Sequence, residues 1–266
     1  MSSPSELSGE GLTYAYDVRS VLTSADIAVR GGEAVALVGP NGSGKTTALR
    51  LLAGDLQPRA GQVHIDGHPL ESLPARERAR RIGVVPQTID PQLAFSSGDL
   101  VAMGRAPYVG VLGGFSARDR EAMRAALEDT DSTQLAPRPF RELSGGEQQR
   151  VALAMVLAQE TRYLLLDEPT THLDLHHQHA LLELLRRLQR ERELGLLAVM
   201  HDLNLAALYF DRLIVLANGR VVADGEPRHL LARDDVLEVF TAPLVVVSHP
   251  DAGVPQVLLR PGPNGG

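Results

Sequence analysis

The stretch "EAVALVGPNGSGKTTALRLLAG" at residues 33–54 decides the fold. Its first six residues are short, apolar and β-branched, which predicts a buried strand, and the run after Lys45 predicts a helix that ends at Gly54. Between them, residues 39–46 match the pattern G-x-x-x-x-G-K-[ST]. A glycine-rich turn between a strand and a helix exposes backbone N–H groups that can surround phosphate groups. The stretch therefore predicts a phosphate-binding loop.

Each part of this loop has an expected role. We expect its backbone to hold the β- and γ-phosphates of a nucleotide, Lys45 to reach the terminal oxygens and the Thr46 hydroxyl to bind Mg²⁺. Lys45 is the only lysine among 26 basic residues. Lysine is a compact charge on a slender stem, whereas arginine is a broad planar fork, so this exception suits a narrow cavity. The candidate nucleotide-binding residues here are Gly39, Pro40, Asn41, Gly42, Ser43, Gly44, Lys45, Thr46 and Thr47.

Composition excludes several classes of protein. The chain has 266 residues, of which 44% are apolar, enough to bury a sizeable core. It contains no cysteine, which excludes disulfides, thiolate catalysis and cysteine-ligated zinc. A net charge of −7 argues against broad attraction to DNA or anionic lipid. No secretory signal and no apolar run of the roughly 18 residues needed to span a membrane is visible, so we expect a soluble cytosolic protein.

A second candidate for phosphate chemistry is "YLLLDEP" at 163–169. An apolar strand ends there in Asp167 and Glu168, at the edge where parallel sheets bind ligands. Asp167 suits the shell of a Mg²⁺ ion, and Glu168 suits the polarisation of a water molecule for attack on the γ-phosphate. The alternative is an acidic pair at a strand end that binds nothing.

A second glycine turn lies at "LSGGEQQR", residues 143–150. Ser144, Gly145 and Gly146 precede a run with helical spacing, and the start of a helix offers free N–H groups and a positive dipole end to an anion. One chain therefore contains two turns suited to phosphate.

The order of elements predicts an α/β fold. Strands alternate with helices in the first and last thirds of the chain, which implies a mostly parallel sheet covered by helices. Between about 88 and 160 the spacing is helical and no clear strand is visible. We predict a single domain over 1–243, with a core at 1–87 and 160–243 and a helical insertion at 88–159. Residues 244–266, rich in proline and glycine towards the end, form a C-terminal appendage.

Five motifs in this order, "GPNGSGKTT", "VVPQ", "LSGGEQQR", "LLLDEPTTHLD" and "VMHDL", resemble the nucleotide-binding subunit of an ABC transporter. The resemblance runs from about residue 10 to 240. It implies a P-loop ATPase core with an N-terminal antiparallel β subdomain and an inserted helical subdomain. It also implies two chains paired head to tail, with ATP between the first glycine turn of one chain and the second turn of the other. Each turn would then form half of a site.

The resemblance implies further site residues, one position at a time. Tyr16 would stack on adenine, with Tyr14 as the alternative. Gln87 would touch Mg²⁺ and the attacking water, Asp174 would communicate across the dimer, and His201 would contact the γ-phosphate. The implied catalytic residues are Lys45, Gln87, Glu168 and His201, and the implied Mg²⁺ ligands are Thr46, Gln87 and Asp167. The residues expected to contact nucleotide bound by the partner chain are Ser144, Gly145, Gly146, Glu147 and Asp174.

The segment "VAMGRAPY", residues 101–108, resembles the "GRxP" segment of ATPases that drive metal-chelate uptake. Tyr108 departs from that pattern, in which histidine is common. The resemblance implies an ATPase that powers import of a ferric siderophore, haem or cobalamin through a separate two-subunit permease. An extracytoplasmic binding protein would act indirectly, and the homodimer would lie at the cytoplasmic face of the membrane. An exporter subunit and a soluble ABC ATPase of repair or translation are the alternatives.

Two charged clusters have two interpretations each. The first is a group of four histidines that lie close together in the sequence. Their i, i+4 spacing could place two of them on one helix face as metal ligands, but a solvated surface near the dimer interface is favoured. The run "ARERARR" at 75–81 could contact nucleic acid, but a helix surface with one internal charge pair is favoured, so no nucleic-acid partner is expected. The clustered histidines are His172, His176, His177 and His179.

Overall fold

The computed structural model describes residues 5–86, 95–110, 113–171 and 173–261. They form two compact units, Met1–Leu70 with Gly195–Gly266, and Glu71–Leu194. The expected α/β class is confirmed, with parallel strands, a separate antiparallel sheet and a group of helices. Across these described ranges, no helix combines the length and the apolar character needed to cross a bilayer.

The two units contain the following elements. The strands of the first unit are β1 (Glu6–Tyr16), β2 (Arg19–Arg30), β3 (Ala34–Val38), β4 (Ala60–Ile65), β5 (His68–Pro69), β8 (Gly195–Val199), β9 (Arg212–Ala217), β10 (Arg220–Gly225), β11 (Leu244–Ser248) and β12 (Pro255–Leu259). Its helices are α1 (Lys45–Ala53), α7 (Leu203–Tyr209), α8 (Pro227–Leu230) and α9 (Asp234–Glu238). The second unit has strands β6 (Ile82–Val85) and β7 (Tyr163–Asp167), and helices α2 (Ala75–Ala79), α3 (Ser97–Met103), α4 (Ala117–Asp129), α5 (Gly145–Leu157) and α6 (Leu175–Arg192).

The strands of the first unit belong to three sheets, of which the β11-β12 pair is the smallest. The larger antiparallel sheet has the order β2-β1-β4-β5, as the resemblance implies for the N-terminal subdomain. In the third sheet, β3 lies between β8 and β9 and is parallel to both, while β10 pairs with β9 as an antiparallel hairpin. All five residues of β3 are buried, as are all five of β8. Strands that are buried on both faces appear in the sequence as continuous apolar runs, so β3 and β8 can be recognised from the sequence.

The turn between β9 and β10 has the residue types that its backbone angles require. Asn218 and Gly219 connect β9 to β10 with φ values of 48° and 75°, the left-handed pair that a tight hairpin requires. A Cβ on Gly219 would lie 2.4 Å from the carbonyl oxygen of Val21, so the turn also needs glycine for a close approach.

The C-terminal appendage has a defined structure over its described part. β11 and β12 form an antiparallel hairpin. Asn204 of α7 joins it to the rest of the first unit, since its side-chain amide donates to the carbonyl oxygen of Val257 and its oxygen accepts from the Val257 N–H, at 3.1 Å and 2.7 Å. This paired contact anchors a segment that composition alone marked as an appendage.

The second unit is organised around α5. This helix contacts α3, α4 and β6, and its buried residues include Val151, Leu153 and Leu157. β6 and β7 pair in parallel, with Val85 opposite Leu166. The predicted insertion 88–159 lies within this unit, although its boundaries stay a prediction.

A buried arginine fixes the segment "GRAPY" in the second unit. Arg105 is 1% exposed. Its Nε donates to Asp119 Oδ1 at 2.9 Å, and its Nη1 donates to Glu160 Oε2 at 2.7 Å and to the carbonyl oxygen of Ala158 at 2.6 Å. Its guanidinium carbon lies 3.9 Å from the ring centroid of Tyr108. One side chain therefore joins the start of α4 to the end of α5.

Tyr108 has a role of its own in this cluster. Its hydroxyl donates to the carbonyl oxygen of Gln159 at 2.9 Å, and the guanidinium carbon of Arg80 lies 5.0 Å from its ring centroid. Burial and the neighbouring Glu160 carboxylate raise the pKa of the Tyr108 phenol. The departure from the histidine pattern thus places a phenol ring within cation–π distance of two arginines. Arg80 belongs to the basic run at 75–81, where the expected internal pair is present, with Nη1 3.1 Å from Glu77 Oε1.

The longest helix, α6, buries a slightly different face from the one its leucines predict. In the sequence, Leu181, Leu184, Leu185 and Leu188 recur at helical spacing, which predicts that these four leucines form the core face of the helix. Leu181, Leu185 and Leu188 are buried as this spacing predicts. Leu182 is buried instead of Leu184, which is only half-buried. Leu184 borders a small cavity between α6 and α5, so close packing is incomplete on that side.

Candidate functional site

The glycine loop of the first unit adopts a conformation that few sequences allow. Gly39, Gly42 and Gly44 have φ values of 147°, 76° and 105°. A Cβ on Gly39 would lie 2.0 Å from the carbonyl oxygen of Leu216, and a Cβ on Gly44 would lie 2.9 Å from that of Val21. Glycine is required at both positions because the backbone angles are left-handed and neighbouring strands leave no room for a side chain. Gly42 faces open space.

Lys45 lies at the centre of this loop. It is the first residue of α1 and is 6% exposed. Its ammonium donates to the carbonyl oxygens of Gly39 and Pro40 at 2.8 Å and 3.0 Å. These bonds hold the charge inside the turn, where an anion bound to the loop would meet it. The narrow cavity that the lone lysine suggests stays a prediction.

The other loop residues divide by exposure. Asn41 and Thr46 are exposed, whereas Ser43 and Thr47 are buried. The Ser43 hydroxyl oxygen has no hydrogen-bond partner within the described ranges. An exposed hydroxyl at the first turn of α1 is an oxygen ligand of the type that Mg²⁺ prefers.

The two tyrosines considered for adenine lie side by side on β1. Their ring centroids are 5.0 Å apart and the rings are nearly perpendicular, at 80°. Tyr16 is 44% exposed, and Tyr14 is half-buried. The more exposed ring offers a face for stacking, so Tyr16 remains the preferred residue.

His201 follows β8 in the same sheet as the loop. β8 is parallel to β3, with Val199 opposite Leu37. The loop begins two residues after Leu37, and His201 comes two residues after Val199. The sheet register therefore brings His201 to the same edge as Gly39. Asp202 caps the helix that follows, through bonds to the N–H groups of Asn204 and Leu205.

In the second unit, β7 ends at the predicted acidic pair. Asp167 is the last residue of β7, and both carboxylates are half-buried. Glu168 has a φ of 52°, which is uncommon for a residue with a side chain and is found more often at functional sites. Thr171 donates its hydroxyl to Glu168 Oε2 at 3.3 Å and its N–H to the Glu168 carbonyl oxygen at 3.2 Å. This partner of Glu168 was not predicted from the sequence.

The second glycine turn also lies in this unit, at the start of α5. Ser144 is the N-cap, and a capping box joins it to Glu147. Glu147 Oε2 accepts from the Ser144 N–H at 2.8 Å, and Oε1 lies 3.1 Å from Arg138 Nη1. The bond from the Ser144 backbone, followed by the Ser144 hydroxyl and Arg138, lowers the pKa of Glu147. Capping uses the N–H of Glu147 and leaves those of Gly145 and Gly146 outside the box.

Asp174 caps the next helix, α6. Its Oδ1 accepts from the His177 N–H at 2.9 Å and lies 2.7 Å from His177 Nδ1. These two bonds, first that from the backbone and then that from the ring, lower the pKa of Asp174. The sequence did not predict the bond between the His177 ring and this carboxylate, because the spacing of the histidines indicated only a shared metal site or a solvated surface.

Two predicted residues lie outside the described part of the chain, Gln87 and His172. Over the described ranges, no group of three or more histidine, cysteine, aspartate or glutamate side chains is arranged to hold a metal ion.

The family follows from comparison of the whole sequence. The sequence profile of the ABC transporter family matches residues 22–171. The chain belongs to the ABC transporter family. This ABC protein is 49% identical over 240 residues to the hemin import ATP-binding protein HmuV of Nocardia farcinica (strain IFM 10152), which covers 90% of this chain and 82% of that one. It is 40% identical over 256 residues to the ferric enterobactin transport ATP-binding protein FepC of Escherichia coli (strain K12), covering 96% and 94%.

Solved structures share the fold of this ABC protein. A structure described as an inward-facing metal-chelate type ABC transporter aligns with a TM-score of 0.84 at 27% identity, covering 97% of this chain and 98% of that one. The dimeric, post-hydrolysis ATP-binding cassette MJ0796, bound to ADP and Pi, aligns with a TM-score of 0.72 at 28% identity, covering 83% and 98%. Nucleotide binding and dimerisation are thus observed for a cassette with this fold.

Proposed function

We propose that this ABC protein is the ATP-hydrolysing subunit of a metal-chelate importer, an ATPase coupled to transmembrane transport. The observation that carries the proposal is the 49% identity to the hemin import ATP-binding protein over 90% of the chain. The 40% identity to the ferric enterobactin transport protein supports a ferric chelate as the class of cargo. We place the cargo among ferric siderophores, haem and cobalamin.

The partners proposed for this subunit follow from its function. A separate two-subunit membrane permease forms the path for the cargo, and an extracytoplasmic binding protein supplies that permease. The chain acts as a peripheral homodimer at the cytoplasmic face of the membrane. Support for the dimer comes from the MJ0796 cassette, which is dimeric and has the same fold at 28% identity.

The two glycine turns give this dimer its chemistry. In each chain the loop at Lys45 binds the phosphates of ATP, and its buried ammonium balances their charge. The N–H groups of Gly145 and Gly146, which lie outside the capping box, approach the γ-phosphate from the partner chain, where the positive end of the α5 dipole favours an anion. ATP therefore joins two half-sites, and hydrolysis separates them.

The remaining residues act on the reaction itself. Glu168 orients the attacking water and accepts its proton, held by the hydroxyl of Thr171. His201 contacts the γ-phosphate, and Tyr16 stacks on adenine. Thr46, Gln87 and Asp167 would hold Mg²⁺, and their oxygen atoms suit that ion. The ion would supply neutralising charge at the phosphates when bound.

Two substitutions test the ATPase and its dimer. We expect Glu168→Gln to bind ATP without hydrolysing it and to accumulate as a dimer, because the water is no longer activated. We expect Lys45→Ala to lose both nucleotide binding and turnover. Size-exclusion chromatography with light scattering, with and without ATP, measures the dimer, and phosphate release measures turnover. The matched control is Glu193→Gln, an exposed carboxylate just beyond α6. A Glu168→Gln chain that stays monomeric with ATP, or hydrolyses it at the native rate, would overturn the mechanism.

The cargo is tested with the complete transporter. The chain is assembled in liposomes with its permease and binding protein, and haem, a ferric siderophore and cobalamin are added separately. Stimulation of ATP hydrolysis by one of them, lost in Glu168→Gln, identifies the cargo. Intact basal hydrolysis with no stimulation by any of the three would refute metal-chelate import.

A further inference from the structure

A single imidazole, that of His177, contacts two elements proposed to face the partner chain's nucleotide. On one side it meets Asp174, whose carboxylate Oδ1 lies 2.7 Å from Nδ1. A carboxylate only accepts hydrogen bonds, so the ring must donate through Nδ1–H. The same oxygen accepts from the His177 N–H at 2.9 Å. The carboxylate is therefore held twice by one residue, although its side chain is 68% exposed.

The other side of the His177 ring lies against the second glycine turn. A Cβ placed on Gly146 would be 2.5 Å from His177 Cδ2 and 3.1 Å from Nε2. No side chain fits at Gly146 unless the ring moves. The ring thus rests directly on the backbone of the first turn of α5, in the same unit as Asp174.

Beside the His177 ring, the apolar side chains of α5 and α6 do not pack closely against each other. A cavity of about 40 Å³ lies between α5 and α6 beside the ring. Arg150 lines it, and its buried Nε has no hydrogen-bond partner in the described part of the chain. This cavity is small, and we do not propose it as a ligand site. It shows that α5 and α6 are not tightly packed here, and that the ring of His177 spans the gap between the two helix starts.

We propose that His177 is a positioning residue that sets the Asp174 carboxylate and the Gly146 turn at a fixed distance from each other. The proposal rests on the ATP-joined dimer described under the proposed function. In that dimer both elements must reach the partner chain together. In a chain without the imidazole, the Asp174 carboxylate and the Gly146 turn are no longer held relative to each other. Each dimer contains two copies of this contact, so the loss of dimer affinity applies at both sites.

The two contacts of His177 can be separated by substitution. His177→Asn keeps a side-chain N–H close to the position of Nδ1 and removes the ring from Gly146. His177→Phe keeps a ring against Gly146 and removes the donor to Asp174. His177→Ala removes both. His179→Ala is the matched control, since His179 is an exposed histidine on the same helix.

The test measures ATP-dependent dimerisation in the Glu168→Gln background by sedimentation equilibrium. We expect His177→Ala to weaken the dimer by about tenfold per site, and so about a hundredfold per dimer, with intermediate effects for His177→Asn and His177→Phe. Binding of ATP to the monomer should be unchanged, because the loop at Lys45 belongs to the other unit, and His179→Ala should behave like the parent. Loss of monomer binding in parallel with dimerisation would show general damage and overturn the positioning role.

Failure of this inference is distinguishable from failure of the proposed function. If the Glu168→Gln parent does not dimerise with ATP, the dimer mechanism itself is wrong. If the parent dimerises and His177→Ala dimerises equally well, the mechanism stands and His177 has no positioning role.

Discussion

Replacing the buried Arg105 with methionine should destabilise the protein strongly. Methionine fills much of the same space but removes all three hydrogen bonds, to Asp119, Glu160 and the carbonyl oxygen of Ala158. Breaking a buried ion pair by removing one partner costs about 3–5 kcal/mol, because the remaining charge stays buried and unpaired. Glu160 can turn towards water, since its side chain is 37% exposed, which favours the lower end of that range. We therefore expect a loss of about 3 kcal/mol in the free energy of unfolding of Arg105→Met.

Urea unfolding followed by far-ultraviolet circular dichroism measures this loss. The control is Arg124→Met on α4, which removes an arginine paired with Glu121 and Glu128 on the exposed face of the helix. Its midpoint should hardly change, because exposed pairs contribute little. A loss below about 1 kcal/mol for Arg105→Met, or equal midpoints for the two variants, would refute the assignment of Arg105 as a structural centre.

Two further predictions concern a helix cap and the phosphate loop. The Ser116 hydroxyl, the Ser116 backbone and then Arg105 lower the pKa of Asp119 to about 2, so its carboxylate contributes stability that is present above about pH 4 and lost as the pH falls through about 2. Ser116→Ala should raise that pKa, which NMR titration of the carboxyl group measures, and an unchanged midpoint would contradict the cause given. Gly39→Ala should abolish nucleotide binding and lower the stability by at least about 1–3 kcal/mol, because its φ is 147° and the new Cβ would lie 2.0 Å from the Leu216 carbonyl oxygen. Gly145→Ala, where no atom lies within 4 Å of the new Cβ, should retain the parent's unfolding midpoint, and equal midpoints for the two alanine variants would contradict the argument.

The phosphate loop was predictable because its requirements are local. A left-handed backbone at Gly39 and Gly44 needs glycine, and a buried strand needs a short apolar run, so residue type alone marks both. The same holds for the Asn218-Gly219 turn and for the serine that caps α5. The alternation of strands and helices likewise gave the α/β class without knowledge of any contact.

Side-chain partners were not predictable, since they depend on elements far apart in the sequence. Nothing in "GRAPY" indicates that Arg105 meets Asp119 and Glu160, or that Tyr108 stacks with two arginines. The four histidines suggested a metal site or a solvated face, and neither interpretation includes a ring packed on Gly146. Leu182 is buried on α6 in place of Leu184 for the same reason, because the surface that packs against this helix decides which leucines are covered.

The sequence by itself determined the family, the two glycine turns and the residues proposed for ATP chemistry, because each depends on backbone conformation or charge within a few positions. Only the tertiary structure decided that Arg105 joins α4 to α5, that Asn204 anchors the C-terminal hairpin and that His177 contacts both Asp174 and Gly146. The physical reason is that packing is collective. A side chain's partner is set by how whole elements fill space, and residue type alone leaves many partners possible.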